Sequence, residues 1–220
     1  MERIYDPEFK TFRACAQLNL RLGLQLAEIE KLPHRMENYA DVMEDGIETM
    51  VNTNVIRRLQ DLGIDTQYFN ESVYAFRKVA HQFDLAAANM LNDFQLRVIN
   101  DQMRGFERTL LLYDGLPDRI QYRHVVTAPS LFDAYGGSAF PGIGDLLYKL
   151  DQSEAGSQDY KLTVKQLRKH ISDLMIITQR AAHYLHSVPP VKFKSRPNSA
   201  PTNSFTFISI ITFLLLALVI

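Results

Sequence analysis

The sequence predicts an all-α fold: a helical bundle with one long ordered loop and a hydrophobic C-terminal tail. Three observations lead there. Two long proline-free stretches, 34–116 and 142–188, leave room for helices, since a proline removes a donor and its ring clashes with the preceding turn. Within them apolar residues recur every three or four positions, the period of one helix face. Between Gly115 and Pro141 that period vanishes, and from Phe205 to Ile220 the chain carries no charge at all.

Composition narrows the function classes. A chain of 220 residues holds one domain, or one with appendages. Lys and Arg number 24 against 25 for Asp and Glu, so the excess of positive charge that releases counterions from nucleic-acid phosphates is missing. No nucleic-acid partner is expected. At 46% hydrophobic the chain has the material for a core. Its single cysteine, Cys15, can close no intrachain disulfide and build no multi-thiolate zinc site.

From the N-terminus, Leu18, Leu20, Leu22, Leu24 and Leu26 alternate strictly, which is the period of a half-buried strand. Leucine and the flanking Ala14, Ala16, Ala27 and Glu28 nevertheless favour helix, and Pro7 suits a first turn that would begin near Asp6. Cys15 falls on an apolar face and reads as a core thiol. Met36, Tyr39, Met43, Ile47, Met50, Ile56 and Leu59 predict the next helix, stopped by Gly63 with Ile64 behind it in the order of a left-handed C-terminal cap. Asn70 then reads as an N-cap, with Glu71 in the first turn. Val73, Phe76, Ala80, Phe83, Ala87 and Met90 form the stripe that follows. After a short break near Asn92-Asp93 come Ile99, Met103, Phe106 and Leu110. The last helix is predicted from about Leu162 to Tyr184 on Val164, Leu167, Ile171, Leu174, Ile177 and Ala181. These stripes are core faces.

The run 115–141 carries Tyr122, Phe132, Tyr135 and Phe140 among its prolines and glycines. Loops of that length are often ordered excursions or functional, and the aromatics predict that this one packs. Its end, Gly136-Gly137-Ser138 and Gly142-Ile143-Gly144, lacks the lysine and spacing of a phosphate loop.

No self-sufficient active site is legible. The six histidines make no H-E-x-x-H pair, and His183 with His186 suits a helix C-terminus. A G-x-S-x-G nucleophile elbow is absent. Asp93, Asp101 and Glu107 form no acid/base set without a pocket. His124 sits inside the long loop, either at a cleft or satisfied by backbone groups. No catalytic residue is assigned.

Several segments together resemble a known family. Gly115-Leu116-Pro117-Asp118-Arg119, Tyr122-Arg123-His124-Val125, Ala128-Pro129-Ser130 and Phe140-Pro141-Gly142-Ile143 follow in order. Upstream stand Tyr5-Asp6-Pro7, Phe9-Lys10, Leu96-Arg97, Asn100-Asp101-Gln102 and Glu107-Arg108. The series resembles the C-terminal part of glutamate carboxypeptidase II and its N-acetylated alpha-linked acidic dipeptidase relatives, a module shared with the transferrin receptor. The resemblance implies a helical homodimerisation domain over 1–186, including a loop, 115–141, that borders a substrate pocket. It also implies that the two zinc ions of full-length relatives are held by a preceding peptidase domain, so no zinc ligand and no cofactor is expected on this chain. By the same resemblance the first segment is a helix. A Lys-Tyr pair that recognises a substrate's terminal carboxylate matches Ala134 and Tyr135 here. The tyrosine is kept and the ammonium is lost, which removes a charge-assisted contact. Tyr135 and His124 are therefore the substrate-loop candidates, with a packed aromatic as the other reading of Tyr135.

Beyond the bundle, 187–204 has the composition of a Pro-rich basic linker with Lys192, Lys194 and Arg196. The segment 205–220, with Phe205, Ile208, Ile211, Leu214, Leu216 and Ile220, would span about 24 Å as a helix against a hydrocarbon core of about 30 Å. It reads as a membrane segment: a tail anchor, or a lipid-anchor signal with Asn198-Ser199-Ala200 as the small residues if an upstream signal exists. A tail that is not a native ending leaves a soluble protein. The functional expectation is a non-catalytic homodimerisation module, membrane-associated. The alternative is the C-terminal fragment of a longer zinc-dependent carboxypeptidase or dipeptidase, with a peptide substrate only if a catalytic domain is attached.

Overall fold

The computed structural model describes residues 6–89, 92–131 and 139–186. Among them the regular structure is helical: α1 Lys10–Glu28, α2 Met36–Asn52, α3 Val55–Asp61, α4 Gln67–Ala88, α5 Asp93–Phe106, α6 Pro141–Asp151 and α7 Gln158–His186. Short 3-10 turns, Pro7–Phe9 and Glu107–Leu110, precede α1 and follow α5. The fold class expected for the bundle holds. The tail and linker, 187–220, lie outside the described residues.

The core forms where the stripes meet. α4 packs along α7, α2 along α4, and α6 along α7. Val73, Phe76, Ala80, Phe83 and Ala87 of α4 and Leu167, Ile171, Leu174, Ile177 and Ala181 of α7 are all buried. Phe106 sits between two helices, edge-on to Tyr39 at 4.7 Å and stacked with Phe76 at 5.7 Å. Such pairs add about 0.5–1.5 kcal/mol beyond the area they bury.

Polar groups fix the helices in register. Asp84 of α4 accepts from the backbone N–H groups of Met36 and Glu37, both at 3.0 Å, and so caps α2 from another helix. Arg77 joins α4 to α2 through Glu44 and Asp41. Gln102 of α5 donates to the carbonyl of Tyr184 near the end of α7. Asn100 holds the connector after α1, donating to Glu30 and accepting from Leu32 N–H.

The Gly63 stop is realised in full. Gly63 has φ +68°, its N–H donates to Gln60 at 2.8 Å, and Ile64 N–H donates to Leu59 at 2.9 Å. That double bond pattern is the Schellman motif, and its hydrophobic pair, Ile64 and Leu59, is buried. Asn92 likewise caps α5, its side chain accepting from Gln95 N–H at 2.9 Å.

Several expectations need correction. The predicted helix 36–59 is two helices, broken at Asn54, which has φ +59°. Asparagine tolerates that left-handed conformation better than most residues. Asn70 is not a cap. α4 starts at Gln67, where Asp65 accepts from the Gln67 N–H, and Asn70 lies inside its first turns. α7 begins four residues before the predicted start, with Ser157 Oγ accepting from Tyr160 N–H. No helix is expected between the loop's end at Pro141 and about Leu162, and the structure has α6 over Pro141–Asp151. Its Pro141 occupies the first helical turn, where a missing N–H costs nothing.

α1 confirms the helical reading of the leucine alternation and departs from the packing expected of it. Asp6 accepts from Thr11 and Phe12 N–H at its start. No residue of α1 is buried. Cys15, expected in the core, is exposed, on a helix that makes no extensive contact with another described helix.

Candidate functional site

The loop is built first by its own backbone. Leu116-Pro117-Asp118-Arg119 closes a turn in which Arg119 N–H donates to Leu116 at 2.9 Å. Proline at the second place and φ +59° at Asp118 in the third give it the φ signature of a type II turn. Cross-links from Leu112 N–H to Arg123, Leu116 N–H to Tyr122 and Val125 N–H to Leu110 then fold 110–125 back on itself. Leu116, Val125, Val126 and Phe140 are buried, whereas Tyr122 is exposed; Phe132 and Tyr135 lie outside the described residues.

A buried ion pair latches this loop to α6. Arg119 and Asp145 contact directly with side chains only 5% and 4% exposed. Arg119 also donates to the Pro129 carbonyl at 2.6 Å and lies 5.0 Å over the Tyr122 ring. The second oxygen of Asp145 accepts from Ser130 Oγ at 3.1 Å and Leu131 N–H at 2.9 Å. A carboxylate buried this far is tolerable only when its lone pairs are filled in this way. Lys149 to Asp118 at 2.7 Å adds a second tie between α6 and the turn. From α7, Arg180 donates to the carbonyls of Thr109 and Leu111.

His124 stands where the loop returns to the bundle. Thr127 N–H donates to its Nδ1 at 2.9 Å, and its Nε2 lies 2.8 Å from Glu107 Oε2. The other oxygen of Glu107 accepts from the Tyr39 hydroxyl at 2.5 Å. Burial, and the Glu107 carboxylate beside it, hold the Tyr39 hydroxyl protonated well beyond the ordinary tyrosine range. Sequence spacing gave no hint of this Tyr39–Glu107–His124 cluster. Tyr135, the other loop candidate, lies outside the described residues, as do Phe205, Ile208, Ile211, Leu214, Leu216 and Ile220.

Between the 112–120 turn and α7 lies a cleft of about 190 Å³ bordered by Asp114, Asp118, Ile120, Lys169, His170 and Asp173. His170 is 2% exposed, and neither ring nitrogen has a hydrogen-bond partner among the described residues. Burial pushes its pKa down to about 4. Gly142 makes room for it: a Cβ there would sit 2.3 Å from His170 Nε2.

Among the described residues no group of three or more His, Cys, Asp or Glu side chains is placed to hold a metal ion. Asp93, Asp101 and Glu107 are likewise dispersed: Asp101 pairs with Arg104, and Glu107 with Tyr39 and His124. Among the described residues no helix is long and apolar enough to cross a membrane.

The arrangement is a helical scaffold carrying a loop latched by a buried ion pair. The transferrin receptor-like dimerisation domain model matches residues 64–186, and the chain belongs to that family. It is 29% identical over 147 residues to the probable glutamate carboxypeptidase LAMP1 of Arabidopsis thaliana, covering 67% of this chain and 21% of the relative. A probable glutamate carboxypeptidase of Arthroderma benhamiae is 30% identical over 146 residues, 64% of this chain and 20% of its own. Aminopeptidase NAALADL1 of Mus musculus is 23% identical over 178 residues, 76% and 22% respectively. The chain thus spans about a fifth of the length of these curated relatives. The matched domain is the non-catalytic dimerisation part of peptidase-family proteins.

Proposed function

We propose that the chain is a non-catalytic homodimerisation module, associated with a membrane through 205–220. The observation that carries the reading is its family: residues 64–186 belong to a dimerisation domain. The construction of the bundle supports it. An isologous interface needs a surface that keeps its shape in both copies, and the Arg119–Asp145 latch with the Arg180 and Lys149 ties holds the loop rigid against α6 and α7. The uncharged run 205–220 supports the membrane part.

The test uses two full-length copies with different affinity tags, expressed together and solubilised in mild detergent. Recovery of one tag on the other's resin, lost when the copies are mixed only after unfolding, is the expected result. Separate recovery of the two tags rules the module out. For the membrane part, removal of 205–220 should move the chain from the membrane to the soluble fraction, and an unchanged distribution counts against it.

A second reading is favoured by the names and lengths of the relatives: the C-terminal part of a longer zinc-dependent carboxypeptidase or dipeptidase acting on peptides. In that case loop 115–141 borders the substrate pocket and Tyr135 contacts substrate. His124, tied to Thr127 and Glu107, then positions the loop. Reading the transcript upstream of Met1 decides between the two: an in-frame zinc-ligand set favours the peptidase, and an in-frame stop removes it.

A further inference from the structure

The outward face of α7 carries charge of one sign. Its buried side chains, among them Thr163, Leu167, Leu174, Ala181 and Leu185, fix which side of the helix meets the bundle. At about 100° per residue, a sector of about 60° to either side of the opposite direction holds Lys161, Lys165, Arg168, Ser172 and Ile176. It runs on to His186, and all six residues are exposed. The acids of the helix, Asp159 and Asp173, fall outside the sector, and Asp173 is tied to Lys169 at 2.7 Å. The balance of 24 basic and 25 acidic residues in the chain is therefore broken on this face.

Its cations are not spent inside the fold. Among the described residues Lys161 and Lys165 join no ion pair, and Arg168 reaches the Gly63 carbonyl at 3.4 Å. Three features select an anionic bilayer as the occupant. The sector runs about 38 Å along one helix, so a plane can meet its cations together. Ile176, 55% exposed among them, is the kind of apolar side chain that an interfacial helix sets into the headgroup boundary. The chain also leads from α7 into Lys192, Lys194 and Arg196 and then into the charge-free run 205–220, and basic segments beside a membrane anchor attract acidic lipids.

We propose that the Lys161–Lys165–Arg168 face of α7 docks on acidic phospholipid headgroups. The proposal rests on the reading of 205–220 as a membrane segment and names the surface of the bundle that meets the bilayer.

The experiment places the full chain on vesicles of phosphatidylcholine alone or with about 30% phosphatidylserine, both with an acceptor dye on the headgroups. Ser172→Cys, in a Cys15→Ser background, carries the donor dye in the middle of the face. Flotation reports whether the chain binds at all, and energy transfer reports whether α7 lies on the surface. Phosphatidylserine should raise the transfer at least twofold, and 1 M salt, with a screening length of about 3 Å, should reverse the rise. Lys161→Gln, Lys165→Gln and Arg168→Gln together should remove it. Lys10→Gln, Arg13→Gln and Arg21→Gln, which take the same charge from α1, should leave it. All six side chains are exposed, so unchanged thermal unfolding verifies the fold.

A rise that survives the α7 changes places the lipid contact on the linker cations and overturns the face. Equal loss in both triple variants shows attraction by net charge alone and also overturns it. Flotation without any effect of phosphatidylserine on transfer overturns the face and leaves the membrane reading of 205–220 standing. No flotation with phosphatidylcholine, with the rise on phosphatidylserine intact, overturns that reading and leaves the face standing. No flotation with either lipid overturns both, and capture by poly-glutamate in that case assigns the face to an acidic protein.

Discussion

The Tyr39 hydroxyl donates to Glu107 across 68 residues of sequence, at 2.5 Å, while the far oxygen of the same carboxylate faces His124. One side chain thus joins α2, the end of α5 and the returning loop. Tyr39→Phe keeps the ring against Phe106 and removes only the donor. The expected cost is about 1.5–3 kcal/mol, the range for a hydrogen bond to a charged group, read as a lower urea midpoint with an unchanged slope. Before mutation, an ultraviolet titration should leave one tyrosine un-ionised beyond the range of the others.

The Arg119–Asp145 latch carries a larger effect. Asp145→Asn leaves a guanidinium buried beside a neutral amide, and breaking such a pair from one side costs about 3–5 kcal/mol. Arg119→Met with Asp145→Leu removes both charges and should recover a substantial part of that loss. Urea unfolding of the two variants checks this, and equal destabilisation by both would show that the charge pair is not what matters.

His170 predicts an acid-sensitive fold. In the native chain its imidazole stays neutral down to about pH 4, whereas unfolded it takes its proton near 6.5. Between those values the unfolded state binds more protons, so stability is complete above pH 6.5 and falls as acid is added towards pH 4. The slope is up to about 1.4 kcal/mol per pH unit. Asp173 and Lys169 face the ring with opposing influences, and burial outweighs both. His170→Leu should flatten the stability profile in that window and leave it unchanged above pH 7.

Gly63→Ala should cost about 1 kcal/mol, because alanine is strained at φ +68°. A Cβ there would meet only the end of the Arg168 side chain, at an ordinary contact distance of 4.0 Å, so the backbone strain sets the value. Thermal unfolding of this single variant measures it directly.

Much of the bundle was legible because a helix buried on one side writes its period into the sequence. Val73 to Ala87 and Leu167 to Ala181 kept that period and were buried as expected. Where the period changed, the boundary was misread. The six-residue step from Met50 to Ile56 marks the break at Asn54 and was absorbed into one helix. The Pro-Gly-Ile-Gly start of α6 carries two glycines, which lower helix propensity and hid an element whose start Pro141 favours. Asn70 had the chemistry of a cap and the wrong position, since Asp65 serves the turn before it. α1 showed strand periodicity because both of its sides are apolar. Of the site, the burial of Phe140 was foreseeable from its aromatic character, while Tyr122 of the same loop is exposed. The polar partners were not foreseeable: Asp145, Glu107 and Asp84 reach across 26 to 68 residues, and only the packing of helices brings them together.

The most direct measurement of the central claim is the mass of the full chain by sedimentation equilibrium in density-matched detergent micelles across micromolar concentrations. A homodimerisation module gives a protein mass of twice 25.3 kDa that dissociates on dilution. A protein mass that stays at 25.3 kDa throughout contradicts it.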